Sequence, residues 1–203
     1  MIVDEDNRKH AKSIATRFQR ALQEALVSNR TLKEGILPSV IYRIKDERSS
    51  AGKLERRYEH GLNQNLNDFI GFRILLCHRD QINPAVAIVR KWAAVRNLTE
   101  LHFDDPSTDL SKRPYRSTHI DFDLPGIYSV DCRTSLGVEV QITTHFSNAI
   151  SEISHSVAYE HGKTSHKNAS QVDLLNLLYS QTDAIERAVS YLFGVERKTP
   201  HKD

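Results

Sequence analysis

The segment Gly137 to Thr144, G-V-E-V-Q-I-T-T, constrains the fold more than any other part of the chain. Its valines and isoleucine alternate with Glu139 and Gln141, the period of two expected of a strand with one buried and one polar face. Glu139 and Gln141 therefore project to the same side. A carboxylate and an amide held together on a sheet suit a site that must grip a metal ion or polar ligand rigidly. A companion segment, N-D-F-I-G-F-R-I-L-L-C from Asn67 to Cys77, places Asp68 just ahead of an apolar strand that Arg73 interrupts. An acid before one strand and an acid within another match what Mg²⁺ requires, because it takes hard oxygen ligands and commonly bridges to substrate phosphates. Taken singly, each acid reads more simply as a solvated strand-edge residue.

Periodicity organises the remainder. Residues 7–29 place Ile14, Phe18, Leu22, Ala25 and Leu26 on one helical face, with basic residues opposite. After a break at Gly35 and Pro38, Val40 to Lys45 alternates as a short extended segment carrying Arg43 and Lys45 on one side. A helix follows, with Asp46 as its N-cap. On it Ser49, Lys53 and Arg56 stand at i, i+4 and i+7 and share a face. Together with Arg43 and Lys45, these residues put four cations and a hydroxyl where a triphosphate could lie, since phosphates need several cations at close range. Glu47, Glu55 and Glu59 leave a salt-laced surface helix equally open.

The strand Phe69 to Cys77 sets Phe72, Ile74 and Leu76 against Gly71, Arg73 and Leu75. An arginine in mid-strand is costly to bury unpaired, so Arg73 is expected to meet an acid or a ligand phosphate. A helix over 84–95 and strands over 97–103 and 115–124 come next. Tyr115, near the start of the last of these, reads as a packing residue or a stacking platform for a base. Pro125 and Gly126 are expected to turn into a further strand over 127–132, which gives a meander in a mixed sheet. Two helices close the chain: one spaces Phe146, Ala149, Ile150, Ile153 and Val157 for packing, the other Val172, Leu175, Leu178, Ile185, Val189 and Leu192. The last helix suits a core position or a homo-oligomer face. The fold class expected is α+β, a mixed, mostly antiparallel sheet of about five strands flanked by helices.

At 203 residues the expectation is one domain, with a core over about 38–160 and helical extensions at both ends. Lysine and arginine number 28 against 26 acids, so local clusters rather than overall charge must carry any phosphate binding. Cys77 and Cys132 fall in apolar runs and read as buried thiols. No run approaches the roughly 18 apolar residues of a membrane span, and the first ten residues lack a signal peptide's apolar core. The expected location is the cytoplasm. His155, His161 and His166 fit no standard zinc spacing.

In this order and spacing, four segments resemble the synthetase domain of the RelA/SpoT family. They are R-I-K-x-x-x-S-x-x-x-K-L-x-R at Arg43 to Arg56, N-D-F-I-G-F-R-I at Asn67 to Ile74, Y-R-S-x-H at Tyr115 to His119, and E-V-Q-I-x-T at Glu139 to Thr144. H-S-x-x-Y at His155 to Tyr159 adds to them. The resemblance implies a nucleotidyltransferase-like fold and transfer of the β,γ-pyrophosphate of ATP to a ribose 3′-hydroxyl, usually of GDP or GTP, making guanosine tetra- and pentaphosphate. It implies that Arg43, Lys45, Ser49, Lys53 and Arg56 hold the ATP phosphates and that Asp68 binds Mg²⁺. By the same resemblance Arg73 orders that region, Glu139 aids the metal or accepts the hydroxyl proton, and Tyr115, His119 and Gln141 line the acceptor side.

The chain departs from the family pattern on that acceptor side. Ser111 to Pro114 replace the usual lysine, asparagine and glycine before the tyrosine, Thr143 replaces an arginine, and Ser154 and Glu160 replace a glutamate and a lysine. The family also contains small toxins that pyrophosphorylate the 3′ end of tRNA, a reading that brings an antitoxin as partner. A non-catalytic nucleotide-binding module on the same fold is the third reading. The family's hydrolase domain and regulatory extensions do not fit into this length.

Overall fold

A computed structural model describes residues 5–33, 35–60, 66–105, 117–128, 135–160 and 169–196. Among them lie five strands, β1 (Ser39–Ile44), β2 (Leu66–Leu76), β3 (Glu100–Asp104), β4 (Thr118–Tyr128) and β5 (Ser135–Thr144), in one sheet of order β1-β2-β5-β4-β3. β2 and β5 run parallel, and the other neighbouring pairs are antiparallel. Helices α1 (Glu5–Ser28), α2 (Glu47–Glu59), α3 (Ile82–Ala94), α4 (His145–Glu160) and α5 (Ala169–Glu196) complete the α+β architecture. The mixed, mostly antiparallel sheet matches the expectation from the sequence.

The alternation read from the sequence gives this sheet two unlike faces. Register pairs Ile70 with Val138, Phe72 with Val140 and Ile74 with Ile142, and sets Ile120 and Phe122 beside Val140 and Val138. All of these side chains are buried. Leu22 and Leu26 of α1 and Val89 and Trp92 of α3 cover them, with Trp92 edge-on to both Phe72 and Phe18. Each such side chain contributes about 1.5–3 kcal/mol by leaving water. The other face is more polar and carries Arg43, Arg73, Glu139 and Gln141.

β1 lies at the edge of the sheet, and α1 closes part of it. The Gln19 side chain donates to the Val40 carbonyl at 2.6 Å, while Gln23 accepts from the Val40 N–H at 2.7 Å and donates to the Pro38 carbonyl at 2.6 Å. Backbone groups on an edge strand otherwise invite pairing with another chain. A different constraint acts at Gly137, where a Cβ would come within 2.8 Å of the Asn67 Cα and of the Phe122 carbonyl oxygen. Only glycine lets β5 pass this close to both neighbours.

Three expectations need correction. Asp68 lies inside β2 rather than ahead of it, in an interval between Leu66 and Ile70 where the register with β5 shifts. Pro125 and Gly126 do not turn the chain. β4 continues to Tyr128, and the two residues fall where its register with β5 breaks, so the missing proline N–H costs no ladder bond. The apolar stripes of the last two helices are largely not the packed faces: Phe146 and Ile153 are 39% and 45% exposed, and Leu178, Ile185 and Leu192 are exposed as well.

A buried polar junction docks α5 in their place. Glu186, fully buried, accepts from Arg79, Thr144 and Ser147, and Asp183 takes Arg79 Nη1 at 2.6 Å. Thr144 Oγ1 in turn accepts the Ser147 N–H at 3.0 Å, which fixes the entry into α4. No helix among the described residues is long and apolar enough to cross a membrane. Cys77 is buried as expected; Cys132, His161 and His166 lie outside the described residues.

Candidate active site

The polar face of the sheet is assembled by register. Arg43 of β1 pairs with Gly71 of β2, Gly71 with Glu139 of β5, and Glu139 with Asp121 of β4. One step along, Ile41, Arg73, Gln141 and His119 form a second row across the same four strands. Gly71 leaves room for the Arg43 side chain to lie over it, 3.5 Å from where a Cβ would sit. A cleft of about 210 Å³ opens here, lined by Ile41, Tyr42, Arg43, Arg73, Glu139 and Glu152 among others. That is below the roughly 300–1,000 Å³ of most small-molecule sites, so the cleft suits a phosphate chain or a base rather than a whole enclosed nucleotide.

Asp68 stands beside this row with two cations on it. Lys45 pairs with one carboxylate oxygen, and Lys53 Nζ lies 2.9 Å from the other. The N-cap predicted at Asp46 is present: its carboxylate accepts the Ser49 N–H at 2.8 Å and the Ser49 hydroxyl at 2.7 Å. That cap sets the start of α2, and with it the position of Lys53. Ser49 and Arg56 are exposed on the same helix, Ser49 being engaged by the cap.

Glu139 is held from two sides, by the Gln141 amide donating at 2.6 Å and by His119 Nδ1 at 3.4 Å. Arg73 Nε donates to Gln141 Oε1 at 3.1 Å, and Nη1 reaches Asn148 at 2.8 Å as well as Glu152. The acid expected for the mid-strand arginine is therefore Glu152, supplied by α4. A continuous chain of contacts runs Glu152, Arg73, Gln141, Glu139, His119. It fixes the orientation of the carboxylate at its centre.

Electrostatics distinguishes the acids. Burial raises the Asp68 pKa, but the hydrogen bonds and charges of Lys45 and Lys53 outweigh it and leave the carboxyl below its ordinary range. For Glu139 burial also pushes upward, opposed by His119 and Gln141, and the net shift is again down; the charge of Asp68 acts on it in the opposite sense. Asp121 goes the other way. Burial first, then the charge of Glu139, raise it, against a hydrogen bond from Asn67.

Of the residues singled out from the sequence, Arg43, Arg73, Glu139, Gln141 and His119 thus share one face, with Asp68, Lys45 and Lys53 alongside. Tyr115 lies outside the described residues. Sequence reasoning missed Asp121, Asn67, Asn148 and Glu152. Asp121 was within reach, because the alternation that puts His119 on the polar face puts residue 121 there too. Thr143, in place of the family's arginine, is fully buried, and Ser154 is tied to the Tyr179 hydroxyl at 2.8 Å.

Comparison with known proteins agrees with this architecture. A search of curated proteins finds no match. Among solved structures, small alarmone synthetase 1 from Bacillus subtilis superposes with a TM-score of 0.64 at 21% identity, covering 94% of this chain and 99% of that one. Small alarmone synthetase 2 from Bacillus subtilis gives 0.66 at 18%, covering 95% of each. Synthetase 1 bound to its product pppGpp gives 0.60 at 20%, covering 93% and 99%. The family model for the region found in RelA / SpoT proteins matches residues 42–164. That match spans more than half of the sequence and contains nearly every residue of the site described above, and the chain belongs to the RelA/SpoT family.

Proposed function

We propose that the protein is an ATP-dependent pyrophosphokinase that transfers the β,γ-pyrophosphate of ATP to the ribose 3′-hydroxyl of a guanosine nucleotide, GDP or GTP. The observation that carries this reading is the grouping of Asp68 and Glu139 with Arg43, Lys45, Lys53 and Arg73 around one face of the sheet. Family membership supports the reaction class. The product-bound synthetase 1 supports a guanosine acceptor.

In this reading Arg43, Lys45 and Lys53 bind the triphosphate, with Ser49 and Arg56 at its outer end. Lys45 and Lys53 exchange their contact with Asp68 for phosphate oxygens. Asp68 and Glu139 supply hard oxygen donors on one side of the sheet, a set that fits Mg²⁺, and these two residues would hold it. When bound, the ion neutralises charge on the phosphate oxygens. The acceptor 3′-oxygen forms a bond to the β-phosphorus of ATP, the bond from that phosphorus to the α,β-bridging oxygen breaks, and AMP leaves. Glu139, kept ionised by His119 and Gln141, receives the hydroxyl proton. Such transfers depend on positioning and charge neutralisation more than on covalent chemistry, and the Arg73 network supplies the positioning. Tyr115, His119 and Gln141 make the acceptor side.

The tRNA 3′ end is the second acceptor, because buried Thr143 and hydrogen-bonded Ser154 stand where the family pattern has charged side chains. An antitoxin would accompany that activity. Incubation with γ-labelled ATP and, separately, GDP, GTP, AMP or bulk tRNA decides between them. Label in GDP or GTP is expected; label confined to tRNA moves the assignment to the second acceptor. ATP binding with no transfer to any of them makes the protein a nucleotide-binding module.

A further inference from the structure

We infer that Asp121 is a positioning residue for the divalent cation: it adds a fixed negative charge beside Glu139 that tightens metal binding without itself being a ligand. This deepens the proposed function and rests on Asp68 and Glu139 being the metal-binding pair.

The placement of Asp121 ties it to both members of that pair. It lies directly across the β4–β5 ladder from Glu139, on the same face of the sheet. Its Oδ2 accepts from Asn67 Nδ2 at 3.4 Å, and Asn67 is the residue before Asp68. Like charges facing one another across a ladder destabilise a sheet. Lys45 and Lys53 are both paired with Asp68, while among the described residues Glu139 is held by the Gln141 amide and His119. On the other side of Asp121, His102 of β3 is its register partner, and the charges of His102 and Lys53 relieve part, but not all, of the effect of burial and of Glu139. A third carboxylate at this spot is therefore a cost to the metal-free fold, and a divalent cation is the partner that offsets it.

Its role is that of a charge rather than a ligand. Among the described residues no three acid, histidine or cysteine side chains converge as a ready-made metal cage. Mg²⁺ in such a setting is held by one or two carboxylates with phosphate and water, and groups outside the ligand shell tune that hold by about 10- to 100-fold.

The test uses the full chain without nucleotide and Mn²⁺ as the probe, with free Mn²⁺ read by electron paramagnetic resonance. Asp121→Asn keeps the shape and removes the charge. It is expected to weaken Mn²⁺ binding by about 10-fold or more, with Asp121→Glu restoring most of it. Thermal unfolding supplies a readout that a merely structural role would move the other way. Without metal, Asp121→Asn is expected to raise Tm by relieving the repulsion, and to show a smaller rise on adding Mn²⁺. Wild-type Mn²⁺ affinity in Asp121→Asn alongside lost binding in Asp68→Asn would overturn the role of Asp121 and leave the metal pair standing. Wild-type affinity in both variants would overturn the metal pair itself. A lowered Tm with unchanged Mn²⁺ affinity would reduce Asp121 to a structural residue. Should Asp121→Asn not fold, Asp121→Ser is read by the same two measurements.

Discussion

Asp68 is the residue on which the proposed function turns, because it pairs with Lys45 and Lys53, the proposed phosphate-binding lysines, and is itself one of the two acids proposed to hold the metal. Replacing it with asparagine removes a proposed metal ligand and weakens the hold on Lys45 and Lys53. Asp68→Asn is thus expected to lower kcat by at least about 100-fold while ATP binding, measured by titration calorimetry without metal, is retained or tightened. Equal loss of both would contradict the exchange of partners proposed for the lysines. The acids also set a pH dependence. Asp68 and Glu139 both titrate below their unfolded values, so the stability they contribute is fully present above those values and is lost as pH falls through the folded ones. Denaturant midpoints should therefore drop on acidification below about pH 4, and less steeply in Asp68→Asn. At this scale the sequence was informative where residues share a strand: Glu139 with Gln141, and Arg73 with Gly71. It was silent on Asn148 and Glu152, which meet Arg73 across 75 and 79 residues; strand alternation alone does not show which helix supplies a partner.

Elements are held by different means at the two ends of β5, the central strand. β5 is pinned by Gly137, and a methyl group there would collide with backbone rather than with a side chain able to move. Gly137→Ala is expected to cost about 1–3 kcal/mol in urea unfolding and to reduce activity through the displaced Glu139. α5 is held by the junction around Glu186 more than by the apolar stripe that its sequence advertises, of which Leu175 is buried while Leu178, Ile185 and Leu192 are exposed. Glu186→Ala, which strands Arg79 with one fewer carboxylate, should lower stability by about 3–5 kcal/mol. Ile185→Ala, exposed next to it, should stay within about 0.5 kcal/mol. Reversal of that order would mean the stripe is the packed face after all. Apolar spacing located both final helices correctly but misassigned much of their inner faces, because a buried carboxylate satisfied by arginine and hydroxyls looks like surface when read alone. Pro125 and Gly126 misled for a similar reason: turn residues also occupy register breaks.

At the scale of the whole molecule, the sheet separates two tasks. One face is closed by α1 and α3 and supplies the core, and the other presents cations from β1 and α2 against acids from β2, β4 and β5. Strand alternation made this division legible in the sequence, as it did the α+β class. The parallel pairing of β2 with β5, which brings Gly71 and Arg73 into register with Glu139 and Gln141, was not legible, since the two strands are far apart in sequence and local pattern carries no pairing information. That pairing creates the site. Its proposed chemistry is tested most directly by supplying GDP and ATP labelled on both the β- and γ-phosphates and following AMP and labelled nucleotide together. The account predicts AMP formed mole for mole with a doubly labelled 3′-pyrophosphorylated nucleotide, and loss of both in folded Asp68→Ala and Glu139→Ala proteins. Release of ADP in place of AMP, or AMP formation undiminished in those two variants, would contradict it.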